Sequence, residues 1–412
     1  RIPPPRAGAG LQPSMIPCIH LAGWQKIAWA LDEDLRWARA ALEGSVVFTS
    51  LPRARIVLAA WWPAIEAIGA AALRGKTVVC FADNPPAFYL TRPGFAGVAG
   101  RVDLWIARSR EAFHQFQALG MPVARSPYGV DPQVFRPLDA SAIRQEWEIP
   151  GDAFVIGNFH RDSEGSDLSR PKVQKGPDVF LEIARELHRR VPRTMVLLAG
   201  PRRHWLLGKL ETAGVPVRFA GQKPGTTDDY ERNILDRPAL NRLYQALDVC
   251  VVSSRWEGGP YSVLEAVLAG RPVISTPVGI ARDLLPAACL YEAPAEAADL
   301  LERHSAAGSL IAPDRQQVLS QHSLEALQAS LRGIFGQLPE GGVSAFSAFA
   351  SRVNTLLARL NRPVWGKRVH PVAEVAAQMK AAGSVGCFYR ADTPDVLALA
   401  ASSRGIQNAL AQ

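Results

Sequence analysis

The feature that most restricts the fold of this chain is an alternation, met twice along its length, of short apolar runs with segments of helical period. In the first half, Ser45 to Thr49, Arg55 to Ala59, Thr77 to Phe81 and Val102 to Ile106 read as strands, with helices at Pro63 to Leu73 and Arg110 to Leu119 among them. The second series runs through a strand at Phe154 to Gly157, a helix at Pro177 to Arg190, strands at Thr194 to Leu198 and Val217 to Ala220, a helix at Pro238 to Ala246 and a strand at Val249 to Val252. Strands separated by helices pair in parallel, and a parallel sheet is covered on both faces. The chain is therefore expected to be α/β, with two doubly wound, Rossmann-like domains. Pro137, Pro150 and Gly151 punctuate the join. The expected units are an N-terminal domain over 1–145, a C-terminal domain over 146–337 closed by a helix at Leu319 to Gln337, and a helical tail over 338–412. That tail contains a further helix at Ala345 to Leu360. No repeat of short period is found.

At 412 residues the chain exceeds one ordinary domain, and 48% apolar with 20% charged residues is the composition of a globular protein. No run of about 18 uncharged apolar residues occurs, so no membrane span is expected. The segment from Arg1 to Gly10 lacks the apolar core of a signal peptide and reads as a loose extension. Five scattered cysteines, Cys18, Cys80, Cys250, Cys289 and Cys387, suit reduced thiols in a cytoplasmic protein. A net charge of +8 suits an anionic ligand and leaves peripheral contact with an anionic membrane open. No nucleic-acid-binding signature accompanies it, and no nucleic-acid partner is expected. The stretch from Ala22 to Leu42 has helical period. Its Asp32-Glu33-Asp34 run reads as the solvated side of that helix, since residues two apart face different ways, and no metal site is expected.

One junction carries chemistry. Val249 to Val252 leads through Ser253-Ser254 to Glu257-Gly258-Gly259-Pro260, and a helix is expected to start near Pro260, because proline suits a first helical position. The N–H groups of Tyr261, Ser262, Val263 and Leu264 then form a ready anion site. Glu265 lies five residues beyond Pro260, about 7.5 Å along the axis at ~1.5 Å per residue. A carboxylate there can accept two hydrogen bonds from a vicinal diol. Gly270 ends the helix, and Pro272 to Thr276 reads as the next strand.

Two glutamates with seven residues between them, framed by Ser253-Ser254, Glu-Gly-Gly-Pro, Leu264-Glu-Ala266 and Gly270-Arg-Pro-Val-Ile274, resemble the donor site of the retaining family 4 (group 1) glycosyltransferases of GT-B fold. Ser126 to Pro137 resembles the segment that closes the first domain in that family. The resemblance implies two domains facing across a cleft, with the tail over 338–412 crossing back onto the first. It implies a nucleotide diphosphate-sugar donor, a hydroxyl acceptor, retention at the anomeric carbon and no metal or other cofactor. The base would be uracil or guanine, and the setting polysaccharide or glycoconjugate biosynthesis.

Residue by residue, the resemblance places an arginine and a lysine-glycine on the diphosphate, carried here onto Arg161 and Lys175. The intervening loop is longer than usual, and Arg170 and Lys172 lie in it as alternatives. Glu257 and the Gly258-Gly259 backbone would hold the sugar and Glu265 the ribose. Gly200, Gly221 and Gln222 would hold the base through backbone. In the first domain Ala82 stands where the family often has histidine, so Asp83 or Asn84 would take over part of that contact. His160 and His20 are assigned no role. A nucleotide-sugar epimerase and an inactive sugar-nucleotide-binding homologue are the alternatives.

Overall fold

The computed structural model describes residues 16–25, 30–164, 167–310 and 313–338. Among them, six parallel strands form the first sheet: β1 (Cys18–Ala22), β2 (Val47–Phe48), β3 (Ile56–Ala59), β4 (Thr77–Ala82), β5 (Leu104–Ala107) and β6 (Val123–Arg125), in the order β2-β1-β3-β4-β5-β6. Every residue of β3 and β4 is buried, as strands covered on both faces require. One face, which presents Trp105 of β5, packs on Trp62, Tyr89, Phe95 and Phe116. The other packs on Leu35, Ala38 and Leu42 of the helix Ala30–Leu42.

The second lobe opens with β7 (Phe154–Asn158) and an antiparallel hairpin, β8 (Ser163–Glu164) with β9 (Asp167–Pro171). It continues with β10 (Thr194–Ala199), β11 (Val217–Ala220), β12 (Val249–Val252) and β13 (Val273–Ser275). The parallel sheet has the order β11-β10-β7-β12-β13. From β7 the chain first builds outward through β10 and β11, then returns to the other side with β12. At such a reversal the loops beyond the carboxyl ends of the two strands diverge, and a crevice opens between them.

The structure differs from the sequence reading in several places. The expected helix from Ala22 is a strand up to that residue, β1, and the helix covers Ala30–Leu42. The alternation Ile19-His20-Leu21, with Ile19 and Leu21 buried, is the period-2 signal of that strand. The helix expected over 63–73 is two helices, Trp62–Ile68 and Ala70–Leu73, divided at Gly69, whose φ of 80° is outside helical geometry. Leu319 to Gln337 is also two helices, Arg315–His322 and Leu324–Gly336. Ser323 divides them and caps the second by accepting from Ala326 N–H at 3.2 Å. Leu327, Leu331 and Phe335, four residues apart on one helical face, pack into the first sheet's core. The Leu324–Gly336 helix thus leaves the second lobe for the first. The helix expected at 345–360, Cys387 and the rest of the tail lie outside the described residues.

The Asp32-Glu33-Asp34 run is not a solvated face. Asp32 and Asp34 are 1% and 3% exposed. Asp32 accepts from Gln25 N–H at 2.6 Å, and Asp34 forms an ion pair with Arg108 at 3.1 Å. Asp34 is enclosed by partners distant in sequence, Arg108 and, from the other lobe, Tyr261.

Candidate functional site

The site is stitched together at the reversal between β7 and β12. Asn158, at the end of β7, donates from Nδ2 to Val251 C=O at 3.0 Å. Beyond the hairpin, a 3-10 turn over Val173–Lys175 ends at Gly176, whose φ is 60°. A Cβ at Gly176 would lie 1.9 Å from Ser253 O, so only glycine lets this loop rest against the loop after β12. Ser253 Oγ completes the seam by donating to Lys175 C=O at 3.2 Å.

That close approach places Lys175 Nζ 2.5 Å from Glu257 Oε1. The same oxygen accepts from Ser254 Oγ at 2.8 Å. Glu257 is only 7% exposed. Burial alone would raise its carboxyl, but the Lys175 charge, the nearby His160 and the hydrogen bonds from Lys175 and Ser254 hold it below the ordinary range. The structure therefore brings together two of the three residues expected to be catalytic. Arg161 follows His160 in the loop after β7 and is half-buried. Of its competitors, Arg170 is exposed on β9, and Lys172 gives its backbone N–H to Asp162 C=O at 2.6 Å.

The helix covers Tyr261–Leu268, with Pro260 as its cap, one position earlier than its expected place inside the helix. Val263 N–H turns back to Pro260 C=O at 3.1 Å, which removes it from the amides expected to face an anion over Tyr261 to Leu264. Val263 and Leu264 are wholly buried in the second lobe's core. Ser262 Oγ lies 2.7 Å from His160 Nε2. Glu265 is buried and accepts from Tyr244 Oη at 2.9 Å; burial raises its pKa against the pull of Arg237 and Tyr244.

The glycine pair expected to hold the sugar is partly taken up by protein. Gly258 N–H donates to Asp83 C=O at 2.9 Å, and Gly259 packs so tightly that a Cβ would lie 2.3 Å from Tyr128 Cε2. These glycines serve the junction between lobes, because nothing larger lets the loops approach. Likewise Gln222 N–H donates to Asn233 Oδ1 and Gln222 C=O accepts from Asn233 Nδ2, both at 2.8 Å. The Asn233 carboxamide, itself buried, satisfies the very groups expected to meet a base. Gly221, at φ 149°, sits against the same carboxamide, and Gly200 adopts φ 84° after β10.

In the first lobe Ala82 closes β4, and Asp83 Oδ1 accepts from Tyr89 Oη at 2.5 Å while Oδ2 accepts from Asn84 Nδ2 at 3.0 Å. Asn84 Oδ1 accepts across the junction from Gln174 Nε2 at 3.0 Å, one residue before Lys175. Both first-lobe candidates thus border the Lys175–Glu257 pair. Burial, with some help from the Asp34 charge, raises Asp83 to about 6 against the hydrogen bonds from Tyr89 and Asn84.

Sequence reasoning missed four features. Tyr261 Oη donates to Asp34 Oδ1 at 2.8 Å, joining the helix start to the first lobe. The Arg108 guanidinium that pairs with Asp34 also donates to Pro127 C=O at 2.7 Å and lies 3.9 Å over the Phe81 ring. Arg203 is fully buried and donates to Asn158 C=O at 2.7 Å, with Asp162 at 3.6 Å. The fourth is His160 beside Ser262. Nothing local in the sequence pairs any of these residues.

Among the described residues no helix is long and apolar enough to cross a membrane. Residues 167–306 match the family model described as Glycosyl transferases group 1. The chain is 32% identical over 165 residues to D-inositol 3-phosphate glycosyltransferase 2 of Catenulispora acidiphila, covering 37% of this chain and 34% of that protein. It is 27% identical over 207 residues to D-inositol 3-phosphate glycosyltransferase of Kribbella flavida, covering 48% of this chain and 45% of that protein. The chain therefore spans less than half the length of these relatives. Among solved structures, Anabaena HepE in complex with UDP and glucose superposes with a TM-score of 0.62 at 16% identity, covering 78% of this chain and 100% of that one. Sucrose-phosphate synthase from Thermosynechococcus elongatus superposes with a TM-score of 0.53 at 16% identity, covering 69% and 73%. The architecture is that of the GT-B glycosyltransferases: two Rossmann-like α/β lobes, each on a parallel sheet.

Proposed function

We propose that this chain is a glycosyltransferase that moves a sugar from a nucleotide diphosphate-sugar to a hydroxyl acceptor, with retention at the anomeric carbon and without a metal. The observation that carries the reading is the Lys175–Glu257 pair, held at the β7–β12 reversal beside the start of the Tyr261–Leu268 helix. The group 1 match over 167–306 includes both residues, and the UDP and glucose bound by Anabaena HepE are of the proposed donor class.

In this reading the diphosphate lies at the amino end of the helix, where the helix dipole and the Lys175 ammonium favour negative charge. Arg161 adds a second cation. Glu257 orients the sugar, and Glu265 takes the ribose diol. The acceptor hydroxyl attacks from the face that the leaving group vacates, and the bond from the anomeric carbon to phosphate oxygen breaks. A departing phosphate oxygen takes the acceptor proton. The protein's task is then to stabilise charge growing on that phosphate, which preorganised donors do well in a site closed to water. Cytoplasmic placement, with contact at an anionic membrane surface, fits the positive net charge.

A thermal-shift panel of UDP, GDP and ADP, each alone and as its glucose conjugate, tests donor binding. Release of the nucleoside diphosphate, with product stereochemistry read by NMR, tests transfer. Activity that survives EDTA supports protein cations in place of a metal; activity abolished by chelation and restored by a divalent ion contradicts it. Ala82, buried at the end of β4 and unable to supply an imidazole, favours one second reading, an inactive binder. Binding without turnover against any acceptor would select that reading.

A further inference from the structure

His160 carries a buried ring nitrogen that the described residues leave without a partner. Its backbone N–H donates to Asn158 Oδ1 at 3.1 Å, and that side chain is fixed to Val251. Its Nε2 lies 2.7 Å from Ser262 Oγ, on the second residue of the Tyr261–Leu268 helix. The imidazole is therefore fixed between the carboxyl end of β7 and the amino end of that helix. Nδ1 is buried and has no hydrogen-bond partner among the described residues. A buried polar atom left unmet is costly, and folds retain one where a ligand or water completes it.

The surroundings indicate the class of that ligand. Burial and the Lys175 charge push the His160 pKa down to about 3, against the opposing pull of Glu257, so the ring is neutral near pH 7. A neutral imidazole has one donor and one acceptor nitrogen. Lys175 and a helix amino end beside it both recruit anions, and Lys175 is already shared with Glu257.

We propose that His160 is a ligand of the donor diphosphate: Ser262 Oγ–H donates to Nε2, and the proton this leaves on Nδ1 is given to a phosphate oxygen at the helix start. The inference rests on the nucleotide-sugar reading above. It adds a donor that strengthens as charge grows on the leaving phosphate, without a second charge beside Lys175. Ser262 is then a positioning residue, which fixes the tautomer.

Calorimetry on the full chain with UDP, GDP and ADP tests it. His160→Gln keeps a polar group near Nε2 and loses Nδ1; it should weaken binding of whichever nucleotide the wild type takes by about tenfold or more. His160→Asn places an amide nitrogen near Nδ1 and should bind within about threefold of wild type. Equal affinity in His160→Gln and wild type overturns the assignment of His160 alone. A wild type that binds no nucleoside diphosphate overturns the nucleotide-sugar reading, and this inference with it. Because His160→Gln can disturb the fold, nitrogen-15 NMR of the histidines in the unsubstituted protein gives an independent answer. The proton should sit on Nδ1, and its resonance should move downfield with the bound nucleotide and with inorganic pyrophosphate, but not with uridine. A proton found on Nε2, or a resonance unmoved at saturation, overturns the proposal.

Discussion

Tyr261, the first residue of its helix, donates its hydroxyl hydrogen to Asp34 in the other lobe, 2.8 Å away. Asp34 also holds the buried Arg108, so one carboxylate ties the candidate anion site to the first lobe's core. Tyr261→Phe removes one hydrogen bond to a charged group and should cost about 1.5–3 kcal/mol. Asp34→Asn leaves the Arg108 charge buried without its partner and should cost more, about 3–5 kcal/mol. Scanning calorimetry checks the order; a larger loss in Tyr261→Phe would contradict the geometry.

The Lys175–Glu257 contact predicts a sign as well as a size. Glu257→Gln and Lys175→Met should each lower sugar transfer by about two to three orders of magnitude, as loss of a preorganised charge does. Lys175→Met also strands a buried carboxylate, so it should destabilise the fold more than the double variant Lys175→Met/Glu257→Gln, in which that charge is gone. Additive losses in thermal unfolding would show the two residues to be energetically independent.

Gly258 and Gly259 are required by the approach of two lobes, and a matched pair of alanines separates that requirement from ordinary glycine effects. A Cβ on Gly258 would meet Asp83 backbone atoms at 2.7 Å, atoms that cannot swing aside. Gly258→Ala should force the lobes apart, raise the radius of gyration in X-ray scattering and suppress transfer about tenfold or more. Gly208, inside the helix His204–Thr212, has nothing within 4 Å of its added Cβ. Gly208→Ala should leave transfer unchanged and stabilise by about 0.5–1 kcal/mol.

Patterns of the chain that repeat locally were legible in the sequence. β12 occupies Val249–Val252 and the helix Pro177–Arg190 ends where expected, because apolar periodicity and flanking proline or glycine are local signals. The strand–loop–helix at Glu257 was legible for the same reason. Contacts made by tertiary folding were not. Asp34 looks like a helix surface until Arg108 and Tyr261 arrive from 74 and 227 residues away. Asn233 satisfies the Gln222 backbone from a separate short helix, and no pattern at Gly221-Gln222 announces it. β1 was missed because its His20 interrupts an otherwise apolar run next to Pro17, a period-2 signal only five residues long.

Asp83 supplies a pH dependence. Its ordinary value of 3.8 rises to about 6 in the folded chain, through burial first, with the Asp34 charge adding to it. The folded state therefore binds this proton more tightly than the unfolded state. The resulting stability is fully present below pH 3.8 and is lost as pH rises through 6. Asp83→Asn cannot ionise and keeps an oxygen for Tyr89, so its stability relative to wild type should climb between pH 4 and 7. A gain on the order of 1–2 kcal/mol is expected, after allowance for the part of the carboxyl open to solvent. Melting curves of the two proteins at matched ionic strength measure that difference. A constant offset across the range would mean that Asp83 titrates no differently in the fold than in the unfolded chain.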